Sequence, residues 1–368
     1  MDKKILKRQE KPVKIIQVLT TLSFGDAVGN DTIALKKVLE ELGYATGIFA
    51  ENIDPRLPEG TVQPISKLPE LGREDVVIYH LSTGTELNYT FASYPCRKLV
   101  IYHNVTPPRF LAPYNEEKAR QCQYGLSGAR YLADKVDYCL PVSDFNRRDL
   151  VDMGYRCPMD VLPILIPFSD YEKEPNQNVI EKYRGKKGTN LLFTGRIAPN
   201  KCQEDVIAAF AAYKRNYDPD ARLFLVGAWQ GMEDYYARLR AYVKALPLSD
   251  VIFTGHISFD EILAYYHLAD VFVCASEHEG FCVPLVEAMY FDIPIIAYDS
   301  SAIAGTLGGS GFLLPDKEPL MAAGAISRIQ KDEGLRERIL ANQRSRLQDF
   351  SYTKIKALFQ TYLERFLQ

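Results

Sequence analysis

No two cysteines of this 368-residue chain stand in a C-x-x-C pair. The seven lie apart, at 96, 122, 139, 157, 202, 274 and 282, and their number is odd. That spacing argues against a zinc site or a disulfide framework and for a reducing, cytoplasmic setting. No stretch supplies the roughly 20 apolar residues that cross a bilayer. The start, Met1-Asp2-Lys3-Lys4, is charged and has no long apolar run after it, so no signal peptide is expected. A net charge of −3 gives no electrostatic case for nucleic acid as the main partner. What is present, 47% hydrophobic and 25% charged residues, is the balance of a soluble globular protein, long enough for two domains. The first residues are basic: Lys3, Lys4, Lys7, Arg8, Lys11 and Lys14 face only Asp2 and Glu10. They suit a solvated terminus, or an arm resting on the anionic inner face of a membrane.

Strand and helix patterns alternate along the chain. Lys14 to Leu22 reads as a strand and leads into a loop with Gly25, Asp26 and Gly29. A helical pattern follows and stops at Gly43. A glycine loop between strand and helix is a phosphate-binding arrangement, or else a tight turn with polar helix caps. Ala45 to Ala50 reads as a second strand ending at Glu51. An acid there suits a dinucleotide fold, but G-x-x-x-G is not the G-x-G-x-x-G fingerprint, so NAD is a weak rival. Two apolar strands then end in histidines, His80 and His103, where ligands meet doubly wound sheets. Ser143 reads as a helix cap. Arg147 and Arg148 behind it suit a solvated face or a phosphorylated acceptor. Val161 to Phe168 and the polar run after it have a linker's mix of proline, charge and polar residues. The alternation restarts at Asn190 to Thr194, followed by one loop holding Arg196 and Lys201, two cations suited to clamping a diphosphate. Asp218-Pro219-Asp220 is a D-x-D triplet, but it precedes a strand as a turn, so no metal site is expected.

The organising stretch is Ser276 to Tyr290, S-E-H-E-G-F-C-V-P-L-V-E-A-M-Y, behind the apolar run Val271 to Cys274. It reads as strand, short acidic loop, helix, with Pro284 where a helix start leaves an amide unpaired. The amides of Gly280, Phe281, Cys282 and Val283 then lie at a helix mouth that favours an anion. Glu279 in the loop and Glu287 in the helix, with seven residues between them, can address one ligand that carries hydroxyls on both sides of an anionic centre. A nucleotide-sugar meets that description.

This stretch resembles the glutamate-x-seven-glutamate motif of the retaining glycosyltransferases of family four, the polysaccharide-type group 1 enzymes. The resemblance implies an α/β GT-B fold of two Rossmann-like domains facing a cleft. The expected boundaries are 1–168 for the acceptor domain and 169–348 for the donor domain, with the helix of 349–368 crossing back to the first. Gly195-Arg196 with Lys201 is similar to the family's phosphate-holding segment. His103, in H-N-V-T-P-P, is similar to its histidine near the transferred sugar; His80 is a weaker match. The loop of Gly25, Asp26 and Gly29 is implied near the donor phosphates, and Gly255, His256 and Ile257 near the base. The loop from Asp299 to Thr306 departs from the family's Pro-Glu.

The expected activity is metal-independent and needs no cofactor. A sugar moves from a UDP-, GDP- or dTDP-sugar to a hydroxyl acceptor, including lipid-linked saccharides, in cell-surface polysaccharide or glycolipid assembly. Glu279 is expected to hold sugar hydroxyls and Glu287 the ribose, while Arg196, Lys201 and the amides stabilise the departing diphosphate. Ala at Glu287 or Lys201 is expected to weaken donor use without unfolding the chain. A nucleotide-sugar epimerase of the same fold and an inert nucleotide-sugar-binding module are the alternatives.

Overall fold

The computed structural model of the chain describes residues 13–23 and 25–368. Most of the basic arm lies outside the described residues. Two parallel sheets of six strands each are formed. The first holds Lys14–Leu22 (β1), Ala45–Ile53 (β2), Gln63–Pro64 (β3), Val76–Leu81 (β4), Arg97–Tyr102 (β5) and Tyr138–Pro141 (β6). The second holds Asn190–Thr194 (β7), Arg222–Val226 (β8), Val251–Gly255 (β9), Val271–Cys274 (β10), Ile295–Tyr298 (β11) and Phe312–Leu314 (β12). The orders are β3-β2-β1-β4-β5-β6 and β12-β11-β10-β7-β8-β9. Read from its own first strand, each half has the same order, so the chain repeats one winding twice. β4, β7, β8 and β10 are buried along their whole length, as parallel strands covered on both faces must be.

The winding decides where a ligand goes. In each half the strand order reverses between two neighbours, β1 and β4 in the first and β7 and β10 in the second. A crevice opens beyond the carboxyl ends at such a reversal. The loops after β7 and β10 carry Arg196, Lys201 and Glu279, and the loops after β1 and β4 face the corresponding crevice of the first half.

The segment from Val161 to Phe168 is not the solvated linker its prolines suggest. Leu162, Ile164, Leu165 and Ile166 are buried in a core that also takes Ile15 and Leu99 from the first sheet and Leu192 and Phe272 from the second. The Leu165 amide donates to Asp31 Oδ1 at 2.8 Å. Proline here supplies extended backbone, and the apolar residues between the prolines supply the packing. The last helix, Tyr352–Leu367, returns to the first sheet's side. Lys356 Nζ reaches Glu41 at 2.5 Å, Arg365 reaches Asp160 at 2.5 Å, and Phe366 stacks on Tyr138 with centroids 5.4 Å apart. Phe366→Ala is expected to lower stability by about 3 kcal/mol, the usual cost of emptying a buried aromatic site, as read from denaturant midpoints.

Candidate active site

β10 ends at Cys274, and helix Val283–Tyr290 begins nine residues on, with Pro284 in its first turn. Among the described residues, the amides of Gly280, Phe281 and Cys282 make no loop, turn or cap hydrogen bond, and neither does that of Val283. Cys282 takes the helix-cap position in left-handed backbone, φ 73°, and its side chain accepts nothing. Four donors at the mouth are therefore left with no protein acceptor of their own among the described residues. The Phe281 side chain points the other way, buried edge-on against Phe350, so its contribution at the mouth is its amide.

Neighbouring loops brace this one. Ser301 Oγ accepts from the Glu279 amide at 2.9 Å, Ser300 Oγ donates to the Ser276 carbonyl at 2.5 Å, and Thr306 Oγ1 donates to the Phe281 carbonyl at 2.5 Å. The hydroxyls of the divergent 299–306 loop thus hold the motif in shape. From the β7 side, Asn200 Nδ2 donates to the His278 carbonyl at 3.0 Å.

Lys201 Nζ meets both oxygens of Glu279, at 2.5 and 2.6 Å. Only 19% of the Lys201 side chain and 8% of the Glu279 side chain are exposed, so water screens this pair little. Burial alone would depress the ammonium, but the Glu279 charge holds it above the ordinary lysine range. The cation expected on phosphate and the acid expected on sugar therefore begin as one buried ion pair. This revises the expectation that Lys201→Ala leaves the fold untouched, since removing one partner strands a buried charge at a cost of about 3–5 kcal/mol. Arg196 is exposed and has no acidic partner among the described residues. Burial pushes up the Cys122 thiol, on helix Glu116–Tyr131 of the first domain, and the Arg196 charge acts against that rise.

Glu287 does not stand open. Tyr171 donates to its Oε1 at 2.8 Å and Tyr266 to its Oε2 at 2.5 Å. Burial pushes its carboxyl upward, against the two phenols.

His103 sits just past β5 at the end of a hydrogen-bond chain whose polarity is fixed at its far end. Gln17 Nε2 donates to the Thr32 carbonyl at 3.1 Å, which turns Gln17 Oε1 toward His80 Nε2 at 2.8 Å. His80 must then carry its proton on Nε2 and accept at Nδ1 from His103 Nε2, 3.0 Å away. His103 Nδ1 is left as an acceptor, and it is buried without a partner. Asp31 Oδ2 lies 3.8 Å from His103 Nε2. Asp31, His80 and His103 have the types and spacing of a metal triad. Both nitrogens of His80 are already committed to hydrogen bonds, which accounts for the cluster without an ion.

The remaining candidates fall into local roles. Asp26 caps helix Ala27–Glu41 by accepting from the Gly29 amide at 3.3 Å, and Gly25 is left-handed at φ 74°. A side chain on Gly29 would meet the Ser23 carbonyl at 2.9 Å, so this loop is built as a tight capped turn. Gly255 gives way to the Trp229 ring, Ile257 packs on the core, and His256 Nε2 lies 2.8 Å from Arg56 of the first domain. In the D-x-D triplet, Asp218 Oδ2 accepts from both the amide and the hydroxyl of Thr189, each at 2.7 Å, as turn chemistry requires.

The sequence reading missed the contacts between domains. His278 Nε2 lies 2.6 Å from Asn104 Oδ1, Asn104 Nδ2 donates to Asn146 at 2.9 Å, and Asn146 Nδ2 donates to the Tyr102 carbonyl at 2.9 Å. A β-carbon on Gly280 would stand 2.5 Å from the His103 carbonyl. The one available signal was His278 inside E-H-E-G-F opposite Asn104 in H-N-V-T-P-P, two polar residues with no local role.

Residues 176–346 match the family described as glycosyl transferases group 1. The match covers the second domain, from the helix before β7 to the helices after β12. Among curated relatives, the chain is 26% identical over 244 residues to the D-inositol 3-phosphate glycosyltransferase of Kineococcus radiotolerans, covering 61% of this chain and 56% of that protein. It is 23% identical to the O-antigen chain mannosyltransferase B of Escherichia coli, covering 68% of this chain and 71% of that one. The chain thus spans about half the length of the first of these relatives. In fold it is similar to Anabaena Alr3699/HepE in complex with UDP and glucose, with a TM-score of 0.76 at 18% identity over 96% of this chain and all of that one. WaaG, a glycosyltransferase involved in lipopolysaccharide biosynthesis, aligns with a TM-score of 0.68 at 14% identity, over 94% and 98% of the two chains. These likenesses make the architecture GT-B.

Two outcomes follow from this geometry. Gly280→Ala keeps an allowed backbone but drives its methyl into the His103 carbonyl. The variant is expected to keep its melting temperature and to scatter as a more open particle in solution; an unchanged scattering profile would contradict the interdomain contact. The second outcome concerns pH. Burial lowers His103 to about 3 and holds His80 well below the ordinary imidazole range, whereas burial raises Asp31 from 3.8 to about 7. Between about pH 4 and 6.5, unfolding lets two imidazoles take up protons and one carboxyl release one, so this cluster loses stability as pH falls. His103→Asn is expected to flatten the stability–pH curve in that window by one proton, about 1.4 kcal/mol per pH unit, as measured by denaturant melts.

Proposed function

We propose that the protein is a retaining, metal-independent glycosyltransferase. It takes a nucleotide-diphosphate sugar as donor and a hydroxyl as acceptor, in cell-surface polysaccharide or glycolipid assembly at the cytoplasmic face of the membrane. The observation that carries this reading is the mouth of helix Val283–Tyr290. Four amides unpaired among the described residues lie there beside a buried Lys201–Glu279 pair, at the strand-order reversal of the family-matched domain. Such a mouth is a site for a diphosphate. The structure of Anabaena HepE with UDP and glucose, similar in fold, supports a nucleotide-sugar as the occupant. The E. coli O-antigen mannosyltransferase among the relatives supports a surface-polysaccharide role. No helix among the described residues is long and apolar enough to cross a membrane.

In this reading, breaking the anomeric bond places charge on the departing diphosphate. The amides and Arg196 lie ready to receive it, and a preorganised site needs little rearrangement as that charge develops. Lys201 approaches the phosphate already charged, because Glu279 keeps it so. Glu279, anchored by Ser301 and Lys201, is left to orient the sugar hydroxyls. Closure of the two domains excludes water from the reacting sugar. Metal independence is supported by the D-x-D acids, since Asp218 is spent on Thr189 in a turn before β8, at the end of the sheet away from the cleft.

Arg196→Ala is the cleanest test, since that side chain holds no ion pair among the described residues. It is expected to lower donor kcat/KM by about 100-fold without moving the melting temperature. Full turnover in the variant would refute the diphosphate site. Thermal shifts with UDP, GDP and dTDP identify the base, because a ligand bound only by the native state raises the melting point.

A further inference from the structure

Tyr171 lies in the short turn Phe168–Glu172, directly after the buried segment that joins the two sheets. Its hydroxyl leaves that turn and donates to Glu287 Oε1 at 2.8 Å, in the helix behind the anion mouth. Tyr266 closes the other side, donating to Oε2 at 2.5 Å while its own oxygen lies 2.6 Å from Thr194 Oγ1, at the end of β7. Each carboxylate oxygen accepts one phenol and keeps a further lone pair. The Tyr171 ring is set by aromatic neighbours: Tyr290 with centroids at 5.3 Å, and Phe259 and Phe291 each at 5.8 Å. Phe168, in the same turn, stacks on Tyr290 at 5.3 Å and 8°. The ring is therefore packed whether or not it carries a hydroxyl, and the hydroxyl contributes one thing, a donor to Glu287.

We infer that Tyr171 is a positioning residue for donor binding. With Tyr266 it fixes the Glu287 carboxylate so that the remaining lone pairs accept from a vicinal diol of the donor's nucleoside. Because Tyr171 rides on the segment joining the domains, it also links occupancy at Glu287 to that segment. This rests on the proposed function. It assigns a role to a residue outside the sequence motif, drawn from the turn that precedes the donor domain's first strand. A carboxylate free to rotate would spend binding energy on being oriented; one held by two phenols has met that cost on folding.

The test compares nucleotide binding by calorimetry in the wild type, Tyr171→Phe, Glu287→Gln and the double variant. The probes are UDP, GDP and dTDP, and the 2′,3′-dideoxy form of whichever ribonucleotide binds best; dTDP has no 2′-hydroxyl and so no vicinal diol, and its binding best would overturn the inference. Tyr171→Phe is expected to weaken the preferred nucleotide about tenfold, the effect of one hydrogen bond to a charged group. It should have little effect on the dideoxy form and add nothing to Glu287→Gln. In turnover the same variant is expected to raise donor KM with kcat nearly unchanged. If Glu287→Gln weakens binding and Tyr171→Phe does not, the Tyr171 role is overturned and the functional reading stands. If Tyr171→Phe weakens the dideoxy form equally, its role is general packing, and the inference again falls. If the wild type binds none of the three nucleotides, the functional reading itself fails.

Discussion

The cleft is organised by a missing β-carbon. Gly280 brings its backbone so close to the His103 carbonyl that any side chain there would stand 2.5 Å from it, and 2.7 Å from Asn104 Cβ. Only that approach lets the loop after β10 of one domain meet the loop after β5 of the other. Once they meet, His278 reaches Asn104, and the chain of amides through Asn146 ends on the Tyr102 carbonyl at the tip of β5. Asn104 takes left-handed backbone, φ 84°, a conformation asparagine tolerates better than most residues, to aim its amide this way. Two strand-order reversals on separate sheets thus become two walls of one crevice.

Charge is arranged to suit that confined space. An isolated ammonium or carboxylate in a dry crevice costs several kcal/mol. Lys201 and Glu279 avoid this by facing each other, so the unliganded site is close to neutral at its centre while it still holds a full cation. Positive charge without an acidic partner among the described residues is left to Arg196, which is exposed, and to the amide dipoles of the helix mouth. A dianionic diphosphate would then find donors that need no desolvation beyond their own.

Much of this was legible in the chain. The strand–loop–helix at Val271 to Tyr290 could be read from a β-branched run, a glycine and a proline. The same logic located β1 and β7 residue for residue. Where the reading slipped, contacts distant in sequence had overridden local composition. β2 runs past Glu51 to Ile53 because β1 offers it partners as far as Leu22. The proline-rich joining segment is core, because its leucines and isoleucines face both sheets. Tyr171 and Tyr266 stand 116 and 21 residues from Glu287, and nothing local marks either as its partner. Chain position gives the type of a site residue more readily than the groups that hold it still.

Those holding groups share a polarity. Glu287 receives two phenolic protons, and His103 is turned by Gln17 and His80 so that its free nitrogen accepts. Each keeps acceptor capacity, and His103 Nδ1 has no donor among the described residues. An unpaired buried acceptor costs about 1–3 kcal/mol, which a folded protein tolerates only where something else supplies the proton. Burial keeps the imidazole neutral, so that acceptor persists across the physiological range instead of titrating away. The Gln17–His80 relay is what leaves His103 Nδ1 an acceptor and not a donor.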